Sequence, residues 1–549
     1  MLKPARTYAA AIDNFRWNVP ASYNIGVDIC DNQNASATAL ICPQPDGRIR
    51  TYKFGDLKRH SNKLANVLAA RGIRPGDRVG ILLPQAPETA IAHIAVYKSG
   101  MIAVPLFTLF GAEALEYRLQ AAGVRALICD SNGLAKIAAI RGNLPDLKLV
   151  MSIDGDGDGA EDYHRLLSRA YDSFQPKLTR ADDPALIIFT SGTTGPPKGA
   201  LHAHRTLLGH LPGVEFPHEF FPKKSDLFWT PADWAWIGGL IDVLLPSLHH
   251  GVPVLTWRSQ KFDPEEAYRL MAKHKVRNTF MPPTALKLMR QIGPRPFAAR
   301  DCQLRSIGSG GETLGAELLD WGRETFGLTI NEFYGQTECN LVVGNCAGIM
   351  DVRPGSMGRA IPGHRVGIVD GEGNELPDGT EGNIAVRRPD PVMFLEYWDN
   401  AQATREKFAG DWLLTDDRGM RDEDGYFHYV GRDDDVITSA GYRVGPGEIE
   451  DCLARHMAVA MAAVIGVPDP VRTQSIKAFV MLRPGYEGTP ALAREIQDHI
   501  KTRLAAHEYP REVEFVTALP MTTTGKIMRG ELRERETARN GGSDQVTYP

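Results

Sequence analysis

What most limits the fold of this chain is a beat repeated near its start. "RVGILLP" (78–84) is a short, continuous apolar run, followed by the helical pattern "PETAIAHIAVYKSG", stopped at Gly100. "MIAVPLF", "ALEYRLQAAG" and "VRALICD" then repeat the alternation. Runs this apolar have no polar face to show to water. Alternated with helices, they require a parallel sheet covered on both sides, an α/β architecture. From about Gly344 the texture changes to short strands among Gly, Pro and Asp turns, as in "GRAIPGHRVGIVDGEGNELPDGTEGNIAVRR". This predicts a small β-barrel-like unit over about 344–430. After "YVGRDDDVITSAGYRVGPGEIE" a helix, strand, strand, helix, strand pattern returns, which predicts a small α+β C-terminal domain. The three aspartates after Arg432 make poor strand and good linker, so the division falls into residues 1–432 and 433–549.

With 549 residues, 43% hydrophobic and 23% charged, the chain has an ordinary globular composition. Its formal net charge of -5 argues against nucleic acid or anionic membrane as the main partner, because both attract basic surfaces. The seven cysteines are scattered without a CxxC pair, which fits a reducing compartment and offers no zinc site. The longest apolar run, "MAVAMAAVIGV" (457–467), is far below the roughly 20 residues of a membrane span. The N-terminus lacks the apolar stretch of a signal peptide. A soluble, cytoplasmic protein is expected.

Two motifs are decoys. "DGDGDG" (154–159) begins like an EF-hand loop, but Arg165 stands where a bidentate glutamate is required. Read instead as a dinucleotide loop, it would set aspartates against a pyrophosphate; a solvated turn is the plain reading. "HEFF" (218–221) lacks the second histidine of a zinc-protease helix.

The informative loop is "TSGTTGPPKG" (190–199), fed by the apolar run "ALIIF". It is not a Walker A loop, since Lys198 is followed by Gly199. Thr190, Ser191, Gly192, Thr193 and Thr194 nevertheless offer hydroxyls and amides that can wrap a polyphosphate, and Lys198 adds a cation. "NEFYGQTECN" (331–340) supplies Glu338, a hard oxygen ligand suited to Mg²⁺, and Thr337, a phosphate donor. "GSGGETL" (308–314) lets a flat ring approach the backbone closely. "WLLTDDRG", "VGRDDDVI" and "LPMTTTGKIMRG" add a carboxylate, an arginine and Lys526.

The ordered set TSGTTGPPKG, GGET, YGQTE, TDD, GRDDD, AGYR and P-x4-GK resembles the adenylate-forming superfamily of acyl- and aryl-CoA synthetases, luciferases and adenylation domains. The resemblance runs from Thr190 to Lys526, and the preceding α/β third suits that family's N-terminal domain. It implies that Thr190, Ser191, Gly192, Thr193, Thr194 and Lys198 hold the β- and γ-phosphates of ATP. Thr337 would touch the α-phosphate and Glu338 would ligate Mg²⁺. Gly310, Gly311, Glu312, Thr313, Glu332 and Tyr334 would line the adenine, and Asp417 would take the ribose with Arg432 beside it. One departure stands out: the family often has T-G-D where this chain has Thr415-Asp416-Asp417. Lys526 would stabilise the charge developing at the α-phosphate. Asp434 matches a hinge about which the C-terminal domain swings; Gly441 would then border a pantetheine channel and Arg443 would approach the nucleotide.

The implied reaction joins a carboxylic acid to ATP as an acyl-adenylate, releasing pyrophosphate, before the thiol of CoA displaces AMP. Acetate-specific members of the superfamily close the pocket floor with a tryptophan just before Q-T-E, where this chain has Gly335, and carry a valine where it has Gly310. Two glycines in place of larger side chains predict a deeper pocket, with Trp236, Ile237 and Gly238 forming another wall. A medium-chain or branched aliphatic acid is expected, with an aromatic acid close behind. The alternatives are an acyl-AMP ligase loading a carrier protein and, from another class, a nucleotide-binding regulator without catalysis. The resemblance also implies control by a lysine acyltransferase and deacylase acting on Lys526.

Overall fold

The structure is a computed structural model that describes residues 1–44, 46–190, 196–257, 262–292, 301–432, 435–439, 442–469, 473–503, 509–522 and 526–541. Two large sheets dominate the N-terminal part. The eight-stranded one has at its centre Pro184–Phe189, Ile102–Pro105, Arg78–Leu82, Val124–Cys129 and Leu149–Ser152, all parallel. Gly199–Ala203 pairs antiparallel with Pro184–Phe189, and residues 190–198 connect the two strands. The nine-stranded sheet carries Asn278–Phe280, Ser306–Gly310 and Asn331–Tyr334 as parallel neighbours.

The helix Pro87–Lys98 explains how the two sheets share one core. It is buried continuously from Thr89 to Lys98, as an all-round apolar helix between two layers must be. A single apolar cluster joins Ile81 and Ala103 of the first sheet, Ile91 and Ile94 of this helix, and Leu40 and Phe333 of the second. The helix ends where the sequence ends it, with Gly100 at φ 65°. The buried Lys98 ammonium lies 2.6 Å from Asp31 and donates to Ser61 Oγ and Asn62 Oδ1. That is the pairing a charge needs when it is taken out of water.

The antiparallel unit comprises Val366–Val369, Glu381–Arg387, Trp412–Arg421, Phe408–Ala409 and Phe427–Arg432. It begins later than the glycine-rich texture indicates. Val343–Gly344 folds back on Asn331–Tyr334 and pairs with Arg359–Ala360, so both belong to the nine-stranded sheet. Glu396–Tyr397 likewise joins the eight-stranded sheet. A change in composition marks where turns become frequent, not where a sheet is handed over.

Past Arg432 the chain forms a smaller sheet. Ile437–Ser439 and Tyr442–Val444 make a hairpin, Val459–Asp469 pairs with Thr473–Leu482, and Glu512–Phe515 runs parallel to the latter. The helices Pro446–Ala454, Pro490–Arg503 and Arg529–Gly541 accompany it. Asp435, beside the division, does not behave as free linker: it accepts from Arg533 at 2.7 Å and faces Arg529 at 3.5 Å. Among the described residues no helix is long and apolar enough to cross a membrane.

Candidate active site

A cavity of about 420 Å³ opens where the C-terminal ends of the parallel strands meet the small domain. Its lining includes the charged and hydroxylic residues Thr190, Lys198, Thr337, Glu338, Arg432 and Lys526 and the apolar residues Trp236, Ile237, Phe280, Phe333 and Leu341. Residues from Thr190 to Lys526 thus converge on one space.

The ends of the 190–198 connection are joined by backbone, with Thr190 N donating to Lys198 O at 2.9 Å. The Lys198 ammonium lies 5.3 Å from the centre of the Tyr397 ring. The Tyr397 hydroxyl donates to Glu338 Oε1 in a short hydrogen bond, so the cation, the aromatic ring and the carboxylate are stacked at one place. Glu338 is buried, and its second oxygen remains for a hard cation. Among the described residues no group of three or more potential ligands could cage a metal. That donor set suits Mg²⁺, which takes one or two carboxylates and otherwise keeps substrate phosphates and water.

Lys526 enters from the other domain. It sits on a tight turn in which Thr522 N donates to Lys526 O at 2.8 Å and Lys526 N donates to Thr522 Oγ1 at 3.0 Å. A β-carbon on Gly311 would lie 3.8 Å from Lys526 Cε, and one on Gly447 would lie 3.7 Å from Thr313 Oγ1, so the small domain rests on the glycine-rich strand end. The residue keeps an open flank toward the cleft. Desolvation at the cavity wall pulls its ammonium below the ordinary lysine value, with Glu312 and Asp417 opposing that shift.

Two motifs about eighty residues apart in sequence are bonded to each other. Gln336 Nε2 donates to Thr415 O at 2.8 Å and the Tyr334 hydroxyl donates to Asp417 Oδ2 at 2.6 Å. Arg432 Nε lies 3.9 Å from Asp417 Oδ1. Burial raises the Asp417 carboxyl, opposed by the Arg432 charge and the Tyr334 hydrogen bond. The intervening Asp416 has φ 61°, backbone that glycine adopts freely. Here the aspartate is held by an ion pair with the buried Lys407 Nζ at 2.6 Å.

The sequence candidates do not all reach the cavity wall. Pleating of Asn331–Tyr334 turns Phe333 toward it and Glu332 and Tyr334 to the other face. There the Glu332 carboxylate accepts from Leu314 N at 3.2 Å, and burial pushes it up to about 8. Glu312 accepts from Thr284 Oγ1 at 2.9 Å. Gly238 lies behind the wall, packed under Trp236 and Phe280. Ser191, Gly192, Thr193, Thr194, Asp434 and Gly441 lie outside the described residues, as does the side chain of Arg443, on the strand Tyr442–Val444.

The deeper pocket expected from Gly310 and Gly335 requires correction. Both line the cavity, but neither leaves room where a side chain would stand. A β-carbon on Gly310 would lie 2.5 Å from the Phe333 ring, and one on Gly335 would lie 2.1 Å from Leu341 N. These glycines permit close packing; Phe333 occupies the space. Sequence reasoning also missed Asp242, Asn340, Phe280, Tyr397, Lys407 and Asp416, all on the wall. Of these only Asp242 carried a readable signal, as the single charge in the apolar run "IGGLIDVLLP".

Comparison with known proteins agrees with this geometry. The profile of the AMP-binding enzyme family matches residues 28–398, and that of the AMP-binding enzyme C-terminal domain matches 448–526. The mitochondrial acyl-coenzyme A synthetase ACSM2 of Rattus norvegicus is 35% identical over 541 residues, covering 95% of this chain and 93% of the relative. The uncharacterized acyl–CoA ligase YtcI of Bacillus subtilis (strain 168) is 34% identical over 522 residues, with 94% and 97% covered. Among solved structures, the anthranilate CoA ligase AuaEII in complex with anthranoyl-AMP superposes with a TM-score of 0.87 at 31% identity, covering 95% of this chain and 99% of that one. ATP-bound MatB from Rhodopseudomonas palustris gives 0.82 at 28% identity, with 93% and 98% covered.

Proposed function

We infer the chemistry from one premise: this chain belongs to the AMP-binding enzyme family, and it is an ATP-dependent acyl-CoA synthetase. The observation that carries the residue roles is the meeting of Lys526 with Thr190, Lys198, Thr337 and Glu338 in one cavity. In the first step a carboxylate oxygen of the acid attacks the α-phosphorus of ATP, the bond to the β-phosphate breaks, and pyrophosphate leaves with that electron pair. Anion approaches anion, so the barrier is electrostatic. Lys526 and Thr337 donate to the α-phosphate, while Lys198 and the loop 190–198 hold the departing phosphates. Glu338 is the residue that would hold Mg²⁺, which supplies charge neutralisation to the triphosphate. In the second step the CoA sulfur attacks the acyl carbon, AMP departs with the former carboxylate oxygen, and the thiol proton goes to solvent.

The second step requires Lys526 to withdraw, because CoA must reach the acyl carbon through the same cleft. The small domain turns about the segment containing Asp434, bringing Gly441 and Arg443 to the site. Acylation of the Lys526 amine by a lysine acyltransferase would remove its charge and stop adenylation, and a deacylase would restore it.

The acid is a medium-chain or branched aliphatic one, matched to the apolar residues of the cavity wall. A second reading, an aromatic acid, is favoured by Trp236, Phe280 and Phe333. Their rings follow one another with centroids 5.7 and 5.3 Å apart, a slot suited to a flat group. The test is product analysis over acids from acetate to decanoate with isobutyrate and benzoate, with and without CoA. AMP and pyrophosphate that turn over only with a fitting acid and CoA are the expected products. ADP would overturn the mechanism, and turnover indifferent to CoA would point to a carrier protein as acceptor.

A further inference from the structure

Among the apolar residues of the cavity wall stands a group that a plain hydrocarbon chain does not need. Asp242 and Asn340 both line the wall, among Trp236, Ile237, Phe280 and Leu341. Asp242 is 4% exposed and Asn340 5%. Asp242 sits at the centre of a single π-helical turn, Leu240–Leu244, whose other four residues are buried and apolar. Such turns are rare and frequently stand at functional sites. Asn340 Nδ2 donates to Asp242 Oδ1 at 2.6 Å. Among the described residues, no other hydrogen bond and no ion pair reaches this carboxyl.

A carboxylate taken out of water with one amide for company is costly, and a leucine would satisfy the same helix. Burial accordingly pushes the Asp242 carboxyl well above the usual carboxylate range, opposed only by the Asn340 hydrogen bond. The geometry leaves this carboxyl on the cavity wall with hydrogen-bonding capacity that Asn340 alone does not use.

We propose that Asp242, oriented by Asn340, reads a hydrogen-bond-donating substituent, a hydroxyl or an amine, carried by the acid on the part of its skeleton remote from the reacting carboxylate. This rests on the acyl-CoA ligase reading above and narrows it: the substrate is a hydroxy- or amino-substituted acid of medium or ring size. A site built around a buried polar group discriminates strongly against the analogue that leaves that group unpaired.

The test compares skeleton-matched acids in CoA-dependent AMP release: hexanoate with 6-hydroxy- and 6-aminohexanoate, and benzoate with its hydroxy and amino isomers. In the unmodified enzyme, a substituted member exceeds its parent by on the order of 10²-fold or more in kcat/KM. Asp242→Leu reverses the order, raising the parent acid and removing the substituted one, with an unchanged thermal melt. Asp242→Ser, small and polar, carries the same loss should leucine disturb the fold. Asp242→Asn separates the two donors, because it keeps a hydroxy acid but loses an ammonium that needs an ionised partner. Preference for the unsubstituted acids, or a ratio indifferent to Asp242, overturns the proposal while leaving the ligase reading intact. Failure of every acid to give CoA-dependent AMP defeats the ligase reading, and the proposal with it.

Discussion

Lys526 concentrates the electrostatics of the site in one side chain. Its ammonium is pulled down by desolvation and supported by Glu312 and Asp417. Replacing Lys526 by alanine is expected to slow acid-dependent pyrophosphate release by about 10²–10³-fold, the usual cost of one donor at developing charge. Conversion of a supplied acyl-adenylate with CoA should be nearly unaffected, and equal loss in both half-reactions would refute the assigned role. Glu312→Gln removes an opposing charge and so lowers the Lys526 value further. Adenylation needs the protonated amine, so its alkaline limb should move to lower pH; an unmoved or upward-moved limb contradicts the pairing. Gly335→Ala sets a β-carbon 2.1 Å from Leu341 N and is expected to cost about 1–3 kcal/mol in a thermal or denaturant melt. A bulky residue there consequently reports strain before it reports pocket size. That Lys526 and Glu338 would meet on one cavity was legible through the ordered set of motifs and the family resemblance it carries, not from either residue alone. Phe333, which fills the space beside Gly310, was not, because an aromatic in a strand looks like core until the pleat is seen.

The structural elements join motifs that the sequence keeps apart. Residues 190–198 connect the paired strands Pro184–Phe189 and Gly199–Ala203, and their Gly/Thr-rich composition was readable. The hydrogen bonds from Gln336 to Thr415 and from Tyr334 to Asp417 were not, since nothing local signals a partner about eighty residues away. The same holds for the helix Arg529–Gly541, which follows Lys526 directly. Its Arg533 and Arg529 face Asp435, and Arg529 also pairs with Glu450 at 2.5 Å. This network ties the segment next to the domain division to the base of the lysine turn. Asp435→Ala leaves two partly buried arginines short of a partner, an expected loss of about 1–3 kcal/mol. Amide hydrogen exchange over 526–541 should accelerate, and unchanged protection would show that apolar packing alone holds this helix.

At the scale of the whole molecule the small domain is seated on the large one with Lys526 inside the cavity. The same seating sets the half-buried Asp451 against Gly315, where a β-carbon would lie 3.2 Å from its carboxylate. Burial pushes that carboxyl up to about 6, while Lys287 opposes the shift. An acid whose value is raised by a contact favours that contact when protonated. The seated pose should therefore gain population as pH falls through about 6, and Asp451→Asn should remove that dependence. Distance-sensitive fluorophores on the two domains would record it; a pH response preserved in the variant would assign it elsewhere. The alternating first third announced the parallel sheets, but the seating of the domains follows from surfaces that no periodicity marks.

The most direct test of acyl-adenylate chemistry is to follow the acid's own oxygen. With the carboxylate of an accepted acid labelled with ¹⁸O and CoA present, one labelled oxygen should appear in the phosphate of AMP, because the attacking oxygen stays on phosphorus when the thiol takes the acyl group. Label found in inorganic phosphate alongside ADP, or AMP free of label, would contradict an acyl-adenylate route through this site.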